Sequence, residues 1–350
     1  LDYLSVCSGV EAVSVAWRGF ARPVAFAEID AFPAAVLARR FPDVPNLGDM
    51  TAIAPRILAG ELAAPSVLVG GTPCQAFSIA GRRASLGDAR GQLTLSFVEV
   101  ANAIDATRSV RGLRPAAILW ENVPGSLSTD DNAFGCLLAA LAGEALPLVP
   151  PRGKWAHAGY VYGPARTIAW RVLDAQHFGV PERRPRVFVV ASAPGGADPL
   201  AVLFEREGQR RDSVTGGAPE ENLTRTHDVG LGIGGGARLT CITNSEGATG
   251  LPYLTRSNIA KVVNNQTPLM SFMDEAGREF VRRLMPIECE RMHGLPDGWT
   301  DVPWRGKPGA PDCLRYAALG NTMAVPVLRW IGLRLSRALG LAGGPRGDPQ

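Results

Sequence analysis

A thiol, three carboxylates and two arginines stand at the ends of short apolar runs in this chain. Cys74 lies in Gly70-Gly71-Thr72-Pro73-Cys74-Gln75, directly after Val67-Leu68-Val69. Glu28 closes the run 24–27, Asp49 follows Leu47-Gly48, and Glu121 closes the run 116–120. A free cysteine is most often a small buried hydrophobe, and a single carboxylate at a strand end is commonly a helix cap or a surface charge. The glycines around Cys74 permit a sharp turn, and Pro73 fixes φ just before it, which suits a nucleophile presented to a ligand. If the apolar runs are strands of one open sheet, all four groups project from one edge, where such sheets bind ligands. A carboxylate after the second strand is placed for ribose hydroxyls. The set therefore points to a nucleoside-containing cofactor beside a nucleophile. Arg184 and Arg186 stand two apart at the opening of the run 187–190 and can face one side together, toward an anion or a base carbonyl.

The turn after the first strand, Ser8-Gly9-Val10-Glu11-Ala12, is a poor match to a glycine-rich dinucleotide loop. A pyrophosphate needs close backbone approach and no anion facing it. Glu11 weighs against NAD or FAD and fits a cofactor without phosphates, such as S-adenosylmethionine, whose ammonium and sulfonium are positive. Residues 230–236 are glycine-rich but precede no helical pattern, so they read as loop. Glu290 and His293 have helical i, i+3 spacing but no second pair to complete a metal site, and they read as packing. His157, His177 and His227 are isolated and read as structural.

The elements that must hold these groups alternate. Residues 4–7 read as a strand, 11–17 as a helix start, 24–27 as a strand and the stretch through Phe32, Val36 and Leu37 as a helix. Strands at 67–69, 116–120, 169–173 and 187–191 complete the pattern of an α/β, doubly wound, mostly parallel sheet. After Ser192 the texture changes to Gly, Thr, Asn and Arg with little helical period, as in a separate module of loops and short strands. Regular pattern resumes at residue 280, and 325–341 reads as an amphipathic helix. The implied division is 1–192 plus 310–342 as the catalytic and cofactor-binding domain, 193–309 as the smaller domain, and 343–350 as a disordered tail.

The 350 residues carry a net charge of +3, so no strong basic field announces nucleic acid. Only Lys154, Lys261 and Lys307 among the 36 basic residues are lysines. Arginine suits bidentate contacts to phosphate and guanine, although a GC-rich genome produces the same bias. The six cysteines are scattered with no C-x-x-C pair, which fits a reducing cytoplasm and disfavours zinc or a disulfide framework. The N-terminal residues read as a strand rather than a signal segment, and no apolar run is long enough to span a membrane.

Five motifs, in order, resemble those of the DNA (cytosine-5)-methyltransferases, in a form similar to a phage and prophage branch. Val69-Gly70-Gly71-Thr72-Pro73-Cys74-Gln75-Ala76-Phe77-Ser78 resembles the family's nucleophile loop, and Glu121-Asn122-Val123 its E-N-V. The segment Glu182-Arg183-Arg184-Pro185-Arg186 resembles Q-x-R-x-R. The stretch from Arg283 through Leu284-Met285-Pro286-Ile287-Glu288-Cys289-Glu290 to Arg291 resembles R-x-L-T-P-x-E-x-x-R, and Gly320-Asn321-Thr322-Met323-Ala324-Val325-Pro326 the closing G-N-x-x-x-x-P. Four departures stand out. The first motif F-x-G-x-G is Cys7-Ser8-Gly9-Val10-Glu11, the opening Gln of Q-x-R-x-R is Glu182, the second Pro of the nucleophile loop is Thr72, and Ile29 occupies the usual place of an aromatic.

The resemblance implies an S-adenosylmethionine-dependent enzyme with a Rossmann-like catalytic domain and a target-recognition domain, needing no metal and yielding S-adenosylhomocysteine. Cys74 would attack C6 of a flipped-out cytosine in duplex DNA, with Glu121 at N3 and the exocyclic amine, Arg186 at O2 and Arg184 in support. The cofactor would lie among Cys7, Gly9, Glu28 (ribose), Ile29, Asp49 (adenine amine), Met50, Pro73, Asn321 and Thr322. Residues 75–91 would form a closing loop with hinges at Gly81, Gly87 and Gly91. DNA contacts would come from Gln75, Ser78, Arg82 and Arg90 there, and from Arg225 and Arg256 in the recognition domain. The implied protein is a cytoplasmic, DNA-associated monomer. An RNA (tRNA) cytosine methyltransferase, an inactive DNA-binding relative and, third, an NAD oxidoreductase are the alternatives.

Overall fold

The computed structural model describes residues 1–72, 89–151, 153–205, 240–241, 270–273, 279–282 and 284–340. The chain divides into two compact units, one of Leu1–Leu173, Pro185–Arg211 and Leu328–Gln350, the other of Asp174–Arg184 and Asp212–Val327. Residues 174–184 and 310–327, grouped with the catalytic domain in the sequence reading, thus fall in the second unit, and 193–211, grouped with the smaller domain, fall in the first.

The first unit is built on a mixed, mostly parallel seven-stranded sheet flanked by helices. Its strands are β1 (Asp2–Val6), β2 (Arg22–Ala27), β3 (Val67–Gly70), β4 (Ala117–Asn122), β5 (Ala158–Tyr162), β6 (Thr167–Asp174) and β7 (Pro185–Ser192), in the order β2-β1-β3-β4-β7-β6-β5. The strands β2, β1, β3 and β4 run parallel, whereas β7 pairs antiparallel with β4 and β5 antiparallel with β6. The β5–β6 connection is only residues 163–166, too short for a parallel crossover. The strand β5 escaped the sequence reading because it lies at the sheet edge, where Tyr160 and Tyr162 are exposed and no apolar run marks it.

Helices α1 (Ala12–Ala16), α2 (Ala31–Arg40), α3 (Ile53–Leu58), α4 (Ala89–Val110) and α5 (Ala133–Ala142) connect the first strands. The sequence reading extends a loop to residue 91, but α4 begins at Ala89, so Arg90 and Gly91 are helical and Gly91 is not a hinge. A glycine costs a helix about 1 kcal/mol, a small penalty for a 22-residue helix that buries Phe97, Val100, Ala101 and Ile104. Beneath β4, Phe134 meets Trp155 and Trp170 edge-on at 5.5 and 5.6 Å. Each indole N–H nearby is satisfied: Trp155 donates to Asn132 Oδ1 and Trp170 to the Ala156 carbonyl, both at 2.9 Å. Such rings bury large apolar area only when their polar edge finds an acceptor. The C-terminal helix, Val325–Ala338, accepts the Trp17 indole N–H at the Leu328 carbonyl, 2.8 Å away.

The second unit contains a three-stranded antiparallel sheet of β8 (Thr240–Cys241), β9 (Met270–Met273) and β10 (Glu279–Arg282), ordered β10-β9-β8. It also holds the helices Pro286–His293 and Asp312–Gly320.

Glu11 departs from its sequence reading. Rather than facing a ligand, its side chain turns inward and caps α1, Oε1 accepting from Ser14 N and Ser14 Oγ at 3.0 Å and from Tyr3 Oη at 3.4 Å. Complete burial pushes its carboxyl up from the usual 4.5 to about 7, against the hydrogen bonds, which pull it down. Between these values the unfolded chain has lost a proton that the folded chain keeps, so stability falls as pH rises through 4.5 to 7 and is flat above. The gap corresponds to roughly 3 kcal/mol. Glu11→Gln, isosteric and neutral, is expected to gain stability relative to the parent as pH rises from 4.5 to 7.5. Denaturation midpoints of the two proteins that stay parallel across this range would refute the inward, protonated carboxyl.

Candidate active site

The carboxyl-end edge of the parallel strands carries two groups of side chains, both within the first unit. The first surrounds the turn after β1. Cys7, Gly9 and Glu11 all have positive φ, at 49°, 55° and 62°. Left-handed backbone at two non-glycine residues costs energy and is retained where the surrounding structure overdetermines it, commonly at functional sites. The turn is pinned by Glu28, whose Oε2 accepts from Gly9 N and Oε1 from Asp30 N, both at 2.8 Å. Asn46 locks Glu28 in turn, its Oδ1 accepting from Glu28 N and its Nδ2 donating to the Glu28 carbonyl, each at 3.0 Å. Asp49 caps the short turn Met50–Ala52 through Thr51 N at 2.9 Å. Met50 is buried with its sulfur 4.0 Å from Cys7 Sγ, and Ile29 stands 71% exposed beside Glu28.

The electrostatics of this end are negative. Burial, followed by the charges of Glu28, Asp30 and Asp49, pushes the Cys7 thiol up to about 12. Cys7 is therefore a neutral wall group and not a thiolate nucleophile. Three carboxylates acting on one partly buried sulfur suit a cationic ligand and repel a pyrophosphate, so the residues present fit S-adenosylmethionine better than a dinucleotide. Asn321 and Thr322 lie in the second unit, where Thr322 Oγ1 donates to the Ala318 carbonyl at 2.8 Å.

The second group lies at the ends of β3 and β4. Glu121 pairs with Arg186, Nε to Oε1 at 3.0 Å, and both side chains are largely buried. This meeting depends on strand direction: because β7 runs antiparallel to β4, with Asn122 opposite Val187, the beginning of β7 reaches the edge where β4 ends. Gly70 and Gly71 are required by close approach. A Cβ on Gly70 would lie 2.6 Å from Val6 Cγ2, and one on Gly71 would lie 2.9 Å from Glu121 Oε2 and 3.1 Å from the Glu121 carbonyl oxygen.

Thr72 and Asn122, not singled out in the sequence as site residues, complete the group. Thr72 is buried, with Oγ1 accepting from Trp120 Nε1 at 2.9 Å and meeting Thr94 Oγ1 at 2.8 Å. Asn122 Nδ2 donates to the Thr72 carbonyl at 2.8 Å, and its Oδ1 accepts from Val123 N at 2.8 Å. Thr72, which delivers the chain to Pro73 and Cys74, is thus hydrogen-bonded to both Trp120 and Asn122. Asn122 was legible from its place in E-N-V; Thr72 carried no signal beyond its departure from the family's proline.

Arg184 has a different setting from Arg186. In the second unit it is buried, paired with Glu182 at 3.3 Å, and its Nη2 donates to the carbonyls of Gly320, at 2.9 Å, and Thr322. It serves there as an anchor for the turn at 320–322, while Arg186 meets Glu121. Pro73, Cys74, Gln75, Ser78, Arg82, Arg225 and Arg256 lie outside the described residues, as do 343–350. Of Arg90 only the helical backbone is described.

Comparison with known proteins defines the class. The profile of the C-5 cytosine-specific DNA methylase family matches residues 1–197, and the chain belongs to that family. A DNA N-6-adenine-methyltransferase of Escherichia phage P1 is 38% identical over 463 aligned residues, covering 97% of this chain. The match takes in 61% of that relative's length. The type II methyltransferase M2.BsuMI of Bacillus subtilis is 26% identical, with 90% of this chain and 70% of that protein covered. Among solved structures, DNMT2 of Spodoptera frugiperda covers 95% of this chain and 99% of its own at 18% identity, with a TM-score of 0.54, which marks a shared fold.

The space at Gly71 generates a test. Gly71→Ala must push Glu121 or the β3 end aside, and overpacking of this kind costs typically about 1–3 kcal/mol. A lower denaturant midpoint of that size is expected, whereas an unchanged midpoint would show that the approach is not a constraint.

Proposed function

We propose that the chain transfers a methyl group from S-adenosylmethionine to C5 of cytosine in duplex DNA. The observation that carries this reading is the tie between Gly71-Thr72 and Glu121-Asn122, which brings the approach to Cys74 against the Glu121–Arg186 pair. Cytosine C5 is a poor nucleophile, and addition of the Cys74 sulfur at C6 turns it into an enamine-like carbon able to accept methyl. Glu121 would hold N3 and the exocyclic amine, where electron density builds, and Arg186 would donate to O2. Loss of the C5 proton and of the cysteine sulfur then restores the ring. The cofactor, when bound, supplies an electrophilic methyl carried by a positive sulfur. Glu28 and Asp49 would take its ribose and adenine, Asn321 and Thr322 its methionine end, and the negative surroundings of Cys7 would favour its cationic groups. The reacting carbon is unreachable within a stacked duplex, so the base must flip out. The part of 193–309 that lies in the second unit would recognise the target sequence.

The phage relative's name supports a second reading, methylation of an adenine amine. That chemistry needs no ring addition and would leave the tie to Cys74 unused. Part of that relative lies outside the match, so its named activity can reside there.

Nucleoside analysis of host DNA separates the readings. Expression of the chain is expected to produce 5-methylcytosine at one short sequence, Cys74→Ser none, and Glu121→Gln a rate lower by about 100-fold. The wild type should form a covalent adduct with duplex DNA containing 5-fluorocytosine. Appearance of N6-methyladenine with both wild type and Cys74→Ser would sink the cytosine reading, and transfer to tRNA in preference to duplex DNA would redirect it to RNA.

A further inference from the structure

In the second unit, Glu182 stands where the family pattern has a neutral glutamine, and it is fully buried. An amide can be buried on hydrogen bonds alone, whereas a carboxylate in such a place requires cationic partners. Two basic side chains face it. Arg184 Nη1 lies 3.3 Å from Oε1, and His293 Nε2 lies 3.6 Å from Oε2, with both partners as buried as the carboxylate itself. The imidazole cannot choose its tautomer freely. His293 Nδ1 lies 2.8 Å from the Cys289 carbonyl oxygen, which can only accept, so Nδ1 carries a proton. One proton must then lie between Nε2 and Oε2, because two bare lone pairs would oppose each other across 3.6 Å. The remaining charges around the cluster are arranged elsewhere: Glu288 accepts from Met285 N at 2.7 Å, and Glu290 accepts from Gly298 N and Thr300 N and pairs with Arg315 at 3.2 Å.

The far side of Arg184 holds the turn 320–322 by the Gly320 and Thr322 carbonyls. We propose that Glu182 and His293 are a positioning pair: the His293 imidazolium holds Glu182, Glu182 orients Arg184, and Arg184 fixes the turn that presents Asn321. Neither side chain touches substrate. This inference rests on the methyltransferase reading for the role of the turn, and on this chain's own contacts for the pair.

The test is a cycle of His293→Leu, Glu182→Gln and the double variant in the full chain, measuring methyl transfer to duplex DNA against S-adenosylmethionine concentration. His293→Leu strands the carboxylate, and the KM for S-adenosylmethionine is expected to rise by about tenfold or more with kcat at saturation changed by less than about threefold. Glu182→Gln added to His293→Leu removes the stranded charge and is expected to recover most of that rise. A double variant no better than His293→Leu, or a fall in kcat with KM unchanged, overturns the proposal. A second readout requires neither activity nor a variant that folds. The ring nitrogens of His293 in the wild type, observed by nitrogen NMR at pH 7.5, are expected to be protonated at both positions, and a bare Nε2 refutes the pair. A wild type that transfers no methyl at all, yet shows the doubly protonated ring, leaves the pair standing and rejects the functional reading instead.

Discussion

The missing side chain at Gly71 is the constraint on which the active edge of the first unit depends. Glu121 occupies the space a methyl would take, 2.9 Å away at Oε2, and is held there from the other side by Arg186. That arrangement needs three things at once: β3 and β4 adjacent and parallel, β7 antiparallel to β4, and an arginine at the start of β7. Two buried charges gain little net stability over an apolar pair of equal volume. Their value is geometric, because each fixes the other's orientation at the point where the chain leaves β3 toward Cys74. Trp120 on β4 serves the same end, packing near Phe134 of the aromatic cluster and donating its indole N–H to Thr72.

The neighbouring β1 turn is organised by charge of one sign. Glu28, Asp30 and Asp49 all act on Cys7, with no ion pair to any of them among the described residues, and the resulting field raises the thiol and favours a cation. Glu28 reaches Gly9 N from the end of β2, so the strained turn and the carboxylate stabilise each other. Removing the repulsion among these carboxylates is work that a positively charged ligand can do on binding. A phosphate-bearing cofactor would add to it.

Much of this was legible in the sequence because the strands of the first half are continuous apolar runs ending in single polar residues. Glu28 after 24–27 and Glu121 after 116–120 were readable as edge groups from that pattern alone. The directions of the last three strands were not, since periodicity does not distinguish parallel from antiparallel pairing and the short link at 163–166 became informative only once β5 was known. The inward turn of Glu11 was hidden for another reason. Its position in the first loop suggests exposure to a ligand, but its φ of 62° aims the side chain at the helix it precedes. Arg184 and Arg186, two residues apart, read as facing one side together. They diverge because Arg184 precedes the strand, where its partners are Glu182 and the 320–322 turn, while Arg186 belongs to β7.

The departures from the family pattern share a physical logic. Thr72, in place of a proline, supplies a hydroxyl that accepts a hydrogen bond from the Trp120 indole N–H. Glu11, in place of a glycine, is fully buried but accepts from Ser14 and Tyr3. Glu182, in place of a glutamine, faces Arg184 and His293. Each change introduces a polar group into an interior where an unmet hydrogen bond costs about 1–3 kcal/mol. Each faces at least one partner outside its own motif: Trp120, Tyr3 and His293 respectively. A motif written as a string of residues records the first half of such a pair and omits the second. That is why Glu182 reads as a flaw in the sequence and as one end of a three-residue clamp in the structure.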